Sequence, residues 1–337
     1  HANGMLLQYD ATLTPTAAKW LTILSALLLF STPAFAFMSA FLLGFAKRKF
    51  QLGPVLWKRV KYLLSPFVFF AVVYAAWGSY NWGFPFAQRL VYNLRGGYHG
   101  YFVLIVMQFY LAHAVLEPIL ARVKPKYALI TAGVVNFVYL MGLEQGWFTP
   151  PAIGFNWSHL FPAWLFYYVL GFYAGRYREA FQAFMQTRLN WAVGLAGGAG
   201  LVLLYRVLSG AMPDLSSQRF DVLVYATGVI CVLFGLAGKL RRVPAIINTI
   251  SRYSFGVYLL HWFLIELLWR LAGERIASAG LPGLLVLWAA SVACSMALTA
   301  ILGALKIGPF LVGKLGISAR GDAPKRATQT SSSEVPG

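Results

Sequence analysis

Apolar residues in this chain come in long runs with no recurring polar face. Runs able to cross a bilayer fall at roughly 20–45, 63–80, 100–121, 127–143, 160–175, 190–207, 221–238, 254–271 and 283–305. A span needs about 20 apolar residues as a helix. A helix that is apolar all round must face lipid or other protein on every side. In lipid every backbone N–H and C=O has to be satisfied within the structure, so runs of this length are helices. The pattern predicts an all-α integral membrane protein: a polytopic helical bundle of about nine transmembrane helices. The runs at 127–143 and 160–175 are short for a full span and are expected to extend into the aromatic residues that flank them.

Composition supports this reading. Of 337 residues, 59% are hydrophobic and only 11% charged, against about 25% charged in an ordinary soluble domain. The net charge of +18 would suggest nucleic acid in a soluble protein, but the pattern assigns it to topology. Five segments are basic: Lys47 to Lys61, Arg122 to Lys126, Arg176 to Arg188, Lys239 to Arg252, and the tail from Lys306. They hold 21 of the 28 Lys and Arg residues. The alternate segments hold Lys19, Arg89, Arg95, Arg206, Arg219, Arg270 and Arg275. A basic excess in every second loop marks the cytoplasmic side, and it also attracts anionic lipid heads. Residue 1 is therefore expected outside and the tail inside, which agrees with nine crossings. The polar, Ser/Thr-rich stretch 318–337 reads as a disordered cytoplasmic tail after a membrane domain over 1–317. Cys231 and Cys294 lie inside apolar runs, have no metal-site spacing, and read as small buried residues.

The segments assigned to the outside differ in character from the basic loops. Residues 81–101, NWGFPFAQRLVYNLRGGYHGY, and 144–159, EQGWFTPPAIGFNWSH, are rich in Trp, Tyr, Asn and Gly. An interfacial aromatic belt explains such residues. So does a carbohydrate site, where rings stack on sugar faces and amides bond hydroxyls. Polar or ionisable groups at membrane depth call for a reason. The candidates are His1, His99, Gln108, His113, Glu117, Arg206, His261 and Glu266. Arg270 follows Glu266 by four residues, on the same helical face, where the two can pair. His113 reads as a packing residue. No Gly-x-Ser-x-Gly elbow, Walker loop or His-Glu-x-x-His motif is present, and nothing in the sequence predicts a metal.

Several segments together resemble the acyltransferase 3 family of membrane proteins, which O-acylate carbohydrates at the cell surface. Residues 31–43, STPAFAFMSAFLL, are similar to a Pro-x-Phe-Phe-Phe-x-Ser-Gly-Phe-Leu-Leu segment; Ser39 and Phe41 match, and Ala40 stands where glycine is usual. Residues 58–66, KRVKYLLSP, resemble the basic loop and proline that lead into the third family helix. Residues 98–111, YHGYFVLIVMQFYL, are most like acetylases of exported poly-N-acetylglucosamine. Residues 168–176, YVLGFYAGR, resemble the end of a later helix, and 251–261, SRYSFGVYLLH, the Ser-x-Tyr-Ser-x-Gly-x-Tyr-Leu-x-His signature.

The resemblance implies ten helices with both ends inside. The nine counted here would then lack the first one. In the family that helix carries an arginine and, eleven positions on, a histidine that serves as catalytic base and is commonly followed by Ala. The chain begins His1-Ala2, which puts His1 at that position. The implied chemistry moves an acyl group, with acetyl expected, from cytoplasmic acyl-CoA to an extracytoplasmic carbohydrate. A histidine suits the base role near neutral pH. Lys58, Arg59 and Lys61 would hold the coenzyme A phosphates, or serve only as topology signals. His261 would join His1 in the catalytic set by lining the acyl channel, or would simply bond a neighbouring helix. His99, Tyr101 and Gln108 sit where the sugar would enter. Expected partners are the carbohydrate acceptor, membrane lipid and polysaccharide synthesis or export machinery, in a bacterial plasma membrane, with no nucleic acid. A transporter or flippase of a lipid-linked sugar is the rival reading. A carrier more often shows two similar halves, and no internal repeat is evident.

Overall fold

A computed structural model describes residues 14–46, 50–148, 156–212, 214–240 and 243–315. His1 and the tail 318–337 lie outside these residues, as do Lys47, Arg48 and Lys49. Among the described residues all regular structure is helical.

The chain opens with α1 (Pro15–Leu27), which has Pro15 in its first turn and Thr14 as its cap. A 3₁₀ turn joins it to α2 (Ser31–Phe45). Next come α3 (Leu52–Arg59), a π-helical turn (Val60–Leu64) and α4 (Ser65–Trp82). Gly83, at φ 67°, ends α4 in the left-handed conformation that only glycine adopts readily. Beyond it lie α5 (Phe86–Leu94), a 3₁₀ turn at His99–Tyr101, α6 (Phe102–Leu120) and α7 (Pro125–Glu144). After two more 3₁₀ turns come α8 (Leu165–Arg176), α9 (Arg178–Thr187), α10 (Leu189–Leu208) and α11 (Phe220–Ala237). The last elements are α12 (Ala245–Ser278), α13 (Leu281–Ala304) and the short α14 (Gly308–Leu311).

Among the described residues, eight helical stretches are long and apolar enough to cross a membrane: 15–45, 52–82, 86–120, 125–144, 189–208, 220–237, 245–278 and 281–304. They match eight of the nine runs in the sequence. The run at 160–175 folds differently. It forms a 3₁₀ turn at Phe161–Trp164 and then the 12-residue α8. Every residue from Tyr167 to Gly175 is buried, so α8 faces protein rather than lipid. The short 125–144 run does extend, to a 20-residue helix.

Small residues let α8 approach α2 backbone to backbone. A Cβ on Gly171 would lie 2.4 Å from the Phe37 carbonyl oxygen, and one on Gly175 only 2.1 Å from that of Phe41. Gly44 on α2 meets the Phe172 carbonyl in the same way. Close small-residue contacts of this kind are how helices associate where no water is available to drive them together. Ala40 is fully buried against Gly171. The methyl that replaces the usual glycine is thus accommodated by the absence of a side chain opposite.

The non-helical segment before α8 enters the bundle beside α6. Gln108, in the second turn of α6, donates to the His159 carbonyl (2.8 Å) and accepts from the Phe161 N–H (2.9 Å). Asn136 of α7 donates to the Ala163 carbonyl (3.0 Å) and accepts from the Phe166 N–H (3.0 Å). Irregular backbone is tolerated among membrane helices only when its polar groups are satisfied, and these two amides satisfy four of them. At its other end α8 reaches the foot of α6, where the Tyr173 hydroxyl meets the Leu120 and Val123 carbonyls (2.9 and 3.1 Å).

Among the described residues, buried side chains gather in two main cores and a smaller cluster of Leu21, Ile265, Ile276, Leu284 and Leu287. One surrounds α8 and draws on α2, α6, α7, α10 and α11. The other joins α4, the start of α6, α12 and α13. A buried ionic cluster closes the ends of α7, α10 and α11. Arg219 grips Asp221 with two bonds (3.0 and 2.6 Å), and Arg206 reaches both Asp221 (3.0 Å) and Glu144. Two expectations are corrected. Cys231 is half-buried, but Cys294 is exposed on the outer face of α13. Glu266 does not pair with Arg270: it accepts from the Trp77 indole N–H (2.5 Å), and the Arg270 guanidinium lies over the Trp77 and Trp82 rings. Aromatic faces within reach offered the cation a competing partner.

Candidate functional site

The seam between the two cores begins in the Gly-rich stretch after α5. The fully buried Asn93 ties the end of α5 to α4 by donating to the Ala71 carbonyl (2.9 Å). Gly96, at φ 91°, turns the chain where a Cβ would strike His159 Nδ1 and Tyr101. Tyr98 then donates to the Phe67 carbonyl (2.7 Å). These anchors deliver His99 against α12.

His99 and His261 are neighbours, with ring centroids 5.0 Å apart and planes at 75°. His99 Nε2 donates to the Tyr258 and Leu259 carbonyls (3.1 and 3.3 Å). His261 Nδ1 donates to the Tyr258 and Val257 carbonyls (2.8 and 3.1 Å). A carbonyl oxygen can only accept, so these nitrogens carry the protons in the neutral rings. In those tautomers the acceptor nitrogens are His99 Nδ1 and His261 Nε2. The Tyr258 hydroxyl closes the group by donating to the His99 carbonyl. The outcome is a compact pair of oriented imidazoles, walled by Tyr74 and Tyr98 rings at 5.0 and 5.3 Å from His99.

The other predicted residues lie around this pair or at a distance from it. Tyr101 stacks on His159 (4.3 Å, 10°) and accepts from Gln218 Nε2 (3.3 Å). Both ends of the Gln108 amide hold the 159–161 backbone, as described above. Arg59 sits elsewhere, its guanidinium 4.8 Å from the Tyr110 ring. Tyr110 lies eight residues along α6 from Phe102, or about 12 Å at 1.5 Å per residue. Lys61 lies over Trp57 (4.7 Å), and Lys58 is exposed on α3. The structure therefore brings His99 and His261 together and sets the basic residues apart from them. His1 lies outside the described residues.

Beyond Tyr110, toward the foot of α6, is a cleft of about 730 Å³ lined by Phe50, His113, Glu117, Phe172, Arg176 and Arg178. His113 is buried there, with its Nδ1 2.8 Å from the Tyr168 hydroxyl. Sequence reasoning did not single out Tyr74, Tyr258 or His159. Tyr258 was visible as the residue three before His261 in the SRYSFGVYLLH segment, hence on its face. His159 gave no such signal. Its ring is buried, and Nδ1 has no hydrogen-bond partner among the described residues. Burial pushes its pKa down to about 4.

Sequence comparison supplies the family. The profile of the acyltransferase domain, Acyl_transf_3, matches residues 1–303. The chain belongs to that family. It is 31% identical over 327 residues to the Bacillus subtilis protein named "Putative membrane-bound acyltransferase YfiQ", covering 94% of this chain and 90% of that one. A Staphylococcus aureus protein named "Probable poly-beta-1,6-N-acetyl-D-glucosamine export protein" is 24% identical over 257 residues, 71% of this chain and 70% of the relative. The Staphylococcus epidermidis protein of the same name is 25% identical over 255 residues, 71% of this chain and 68% of the relative. No solved structure matches. As a member of this family, the chain is a multi-pass membrane acyltransferase.

Proposed function

We propose that this acyltransferase moves an acyl group, acetyl in the first instance, from cytoplasmic acyl-CoA to a hydroxyl of an extracytoplasmic polysaccharide in a bacterial plasma membrane. The observation that carries the proposal is the oriented pair of His99 and His261 at one end of the seam, with cationic Arg59 well separated from it along α6. Transfer from a thioester needs a base for the attacking hydroxyl and a way to stabilise the tetrahedral oxyanion. In this reading His1, by its place in the family motif, takes the hydroxyl proton. The alkoxide adds to the thioester carbonyl, the C–S bond breaks, and the thiolate leaves with the proton returned to it. His261 faces the acyl group, while His99 and Tyr101 face the sugar. Gln108 serves them by holding the 159–161 segment in place. Lys58, Arg59 and Lys61 take the phosphates of the donor. Residues 1–317 belong to the membrane acyltransferase domain, with 318–337 as a tail.

The test is acyl transfer by the purified protein in lipid, with radiolabelled acetyl-CoA and a β-1,6-linked glucosamine polymer as acceptor. A general base contributes about 10²- to 10⁴-fold, so His1→Ala should lower turnover by that order, and His261→Ala by less. Neutralising Lys58, Arg59 and Lys61 together should raise the KM for acetyl-CoA more than that for the polymer. Wild-type turnover in both histidine variants would refute the assignment. The word "export" in the staphylococcal relatives' names supports a second reading, movement of the polymer itself. That reading gains if the wild type moves polymer across vesicles and transfers no acetyl group.

A further inference from the structure

The tyrosine at position 74 does more than pack against His99. Its hydroxyl donates to the Leu259 carbonyl (3.0 Å) and accepts from the Phe263 N–H (2.9 Å). An uninterrupted α-helix joins those two groups directly, because Phe263 follows Leu259 by four residues. The hydroxyl of a neighbouring helix has thus threaded into the backbone ladder of α12, a recognised cause of local helix distortion. The insertion does not break the helix. Within α12 only Ala272, nine residues beyond Phe263, leaves helical φ and ψ.

The position of the insertion gives it meaning. It brackets His261, which lies between Leu259 and Phe263. The Leu259 carbonyl that accepts from the Tyr74 hydroxyl also accepts from His99 Nε2, and the next carbonyl upstream, Tyr258, accepts from both histidines. The Tyr74 ring meets His99 edge-on (5.0 Å, 85°) and is buried, and its hydroxyl has the hydrogen-bond partners that a buried tyrosine usually finds. One side chain therefore touches the ring of one histidine and the backbone that carries the other.

We infer that Tyr74 is a positioning residue for the two-histidine centre. Its hydroxyl fixes the 257–263 segment of α12, and through the carbonyls of that segment it fixes the tautomer and aim of His99 and His261. Without the hydroxyl, Leu259 and Phe263 draw together and the carbonyls that orient the imidazoles turn back into the helix. The kinetic part of this inference rests on the acyl-transfer reading; the tautomer part does not.

The experiment compares Tyr74→Phe with Tyr173→Phe. Tyr173 is also buried and bonds two carbonyls, but it lies at the foot of α6, in the other core. Two properties are read in lipid nanodiscs: acetyl transfer, and the ¹⁵N shifts of uniformly ¹⁵N-histidine-labelled protein. Tyr74→Phe is expected to lower kcat at least about tenfold with the acetyl-CoA KM within about twofold, and to convert the fixed His99 and His261 tautomers to mixed signals. Tyr173→Phe is expected to lose thermal stability with kcat and both tautomers retained. Unchanged tautomers in Tyr74→Phe would overturn the inference, and so would a kcat loss equal in the two variants. Should the wild type transfer no acetyl group while Tyr74→Phe still scrambles the tautomers, the positioning role stands and the acyl-transfer reading falls.

Discussion

At the scale of single residues, His159 makes the sharpest prediction. Its ring stacks on Tyr101, is buried, and offers Nδ1 to no partner among the described residues. Its pKa near 4 lies below the ordinary value near 6.5 because burial disfavours the charged ring. The folded state therefore binds fewer protons than the unfolded state between those values. Stability from this group is whole above about pH 6.5 and is lost as pH falls toward 4. The shift corresponds to roughly 3 kcal/mol at 1.36 kcal/mol per pH unit. His159→Phe keeps the stack and removes the titration. Its thermal midpoint in detergent should drop less than that of the wild type between pH 7 and pH 4.5. An equal drop in both would show that His159 does not titrate across folding. The sequence displayed His159 only as one residue of an aromatic-rich loop, because solitary burial leaves no periodic trace. His261 was different: a histidine within an apolar run stands out, since polar groups at membrane depth are rare.

At the scale of elements, the ionic cluster at the ends of α7, α10 and α11 is the strongest single lock. Two arginines and two carboxylates balance, with side-chain exposures from 2% for Arg219 to 19% for Arg206. Removing one partner from a buried set leaves uncompensated charge, at a cost of about 3–5 kcal/mol. Asp221→Asn should lose that much stability by thermal unfolding. Arg178→Ala, which breaks the exposed pair with Glu179, should lose under about 1 kcal/mol. Comparable losses would mean that burial does not set the strength of the cluster. Sequence reading found Arg206 but not its partners, since Glu144, Arg219 and Asp221 lie at run boundaries where charge is expected. The helices themselves were legible because lipid demands long apolar runs. The exception was α8, for which an apolar run of about 16 residues carries the same signal whether lipid or protein surrounds it.

At the scale of the whole molecule, the alternation of basic and poorly basic loops predicts which end of the seam faces which compartment. His99 follows the 81–98 segment, which holds only Arg89 and Arg95, while Arg176 and Arg178 border the 730 Å³ cleft. Single cysteines at the exposed Ser209 and Thr187, after replacement of Cys231 and Cys294, provide the check. A membrane-impermeant thiol reagent should label position 209 in intact cells and reach 187 only after permeabilisation. The reverse pattern would turn the molecule over and place the histidine pair on the wrong side for an external acceptor. Pairing of His99 with His261, 162 positions apart in the sequence, could not be seen in advance. The resemblance had placed both residues in motifs, but only the packing of α4, α6 and α12 sets the distance between them.

The burial of α8 has a consequence for how the protein meets different bilayers. Hydrophobic mismatch acts on the surfaces that lipid touches, where helices tilt or the bilayer thins to match lengths. From Tyr167 to Gly175 this helix presents no such surface. It is suspended between amides of α6 and α7 at one end and the Tyr173 hydroxyl at the other. A thicker or thinner membrane therefore loads the outer helices while the central one keeps its length and its seat. The fold holds this 12-residue helix where membrane thickness exerts no pull.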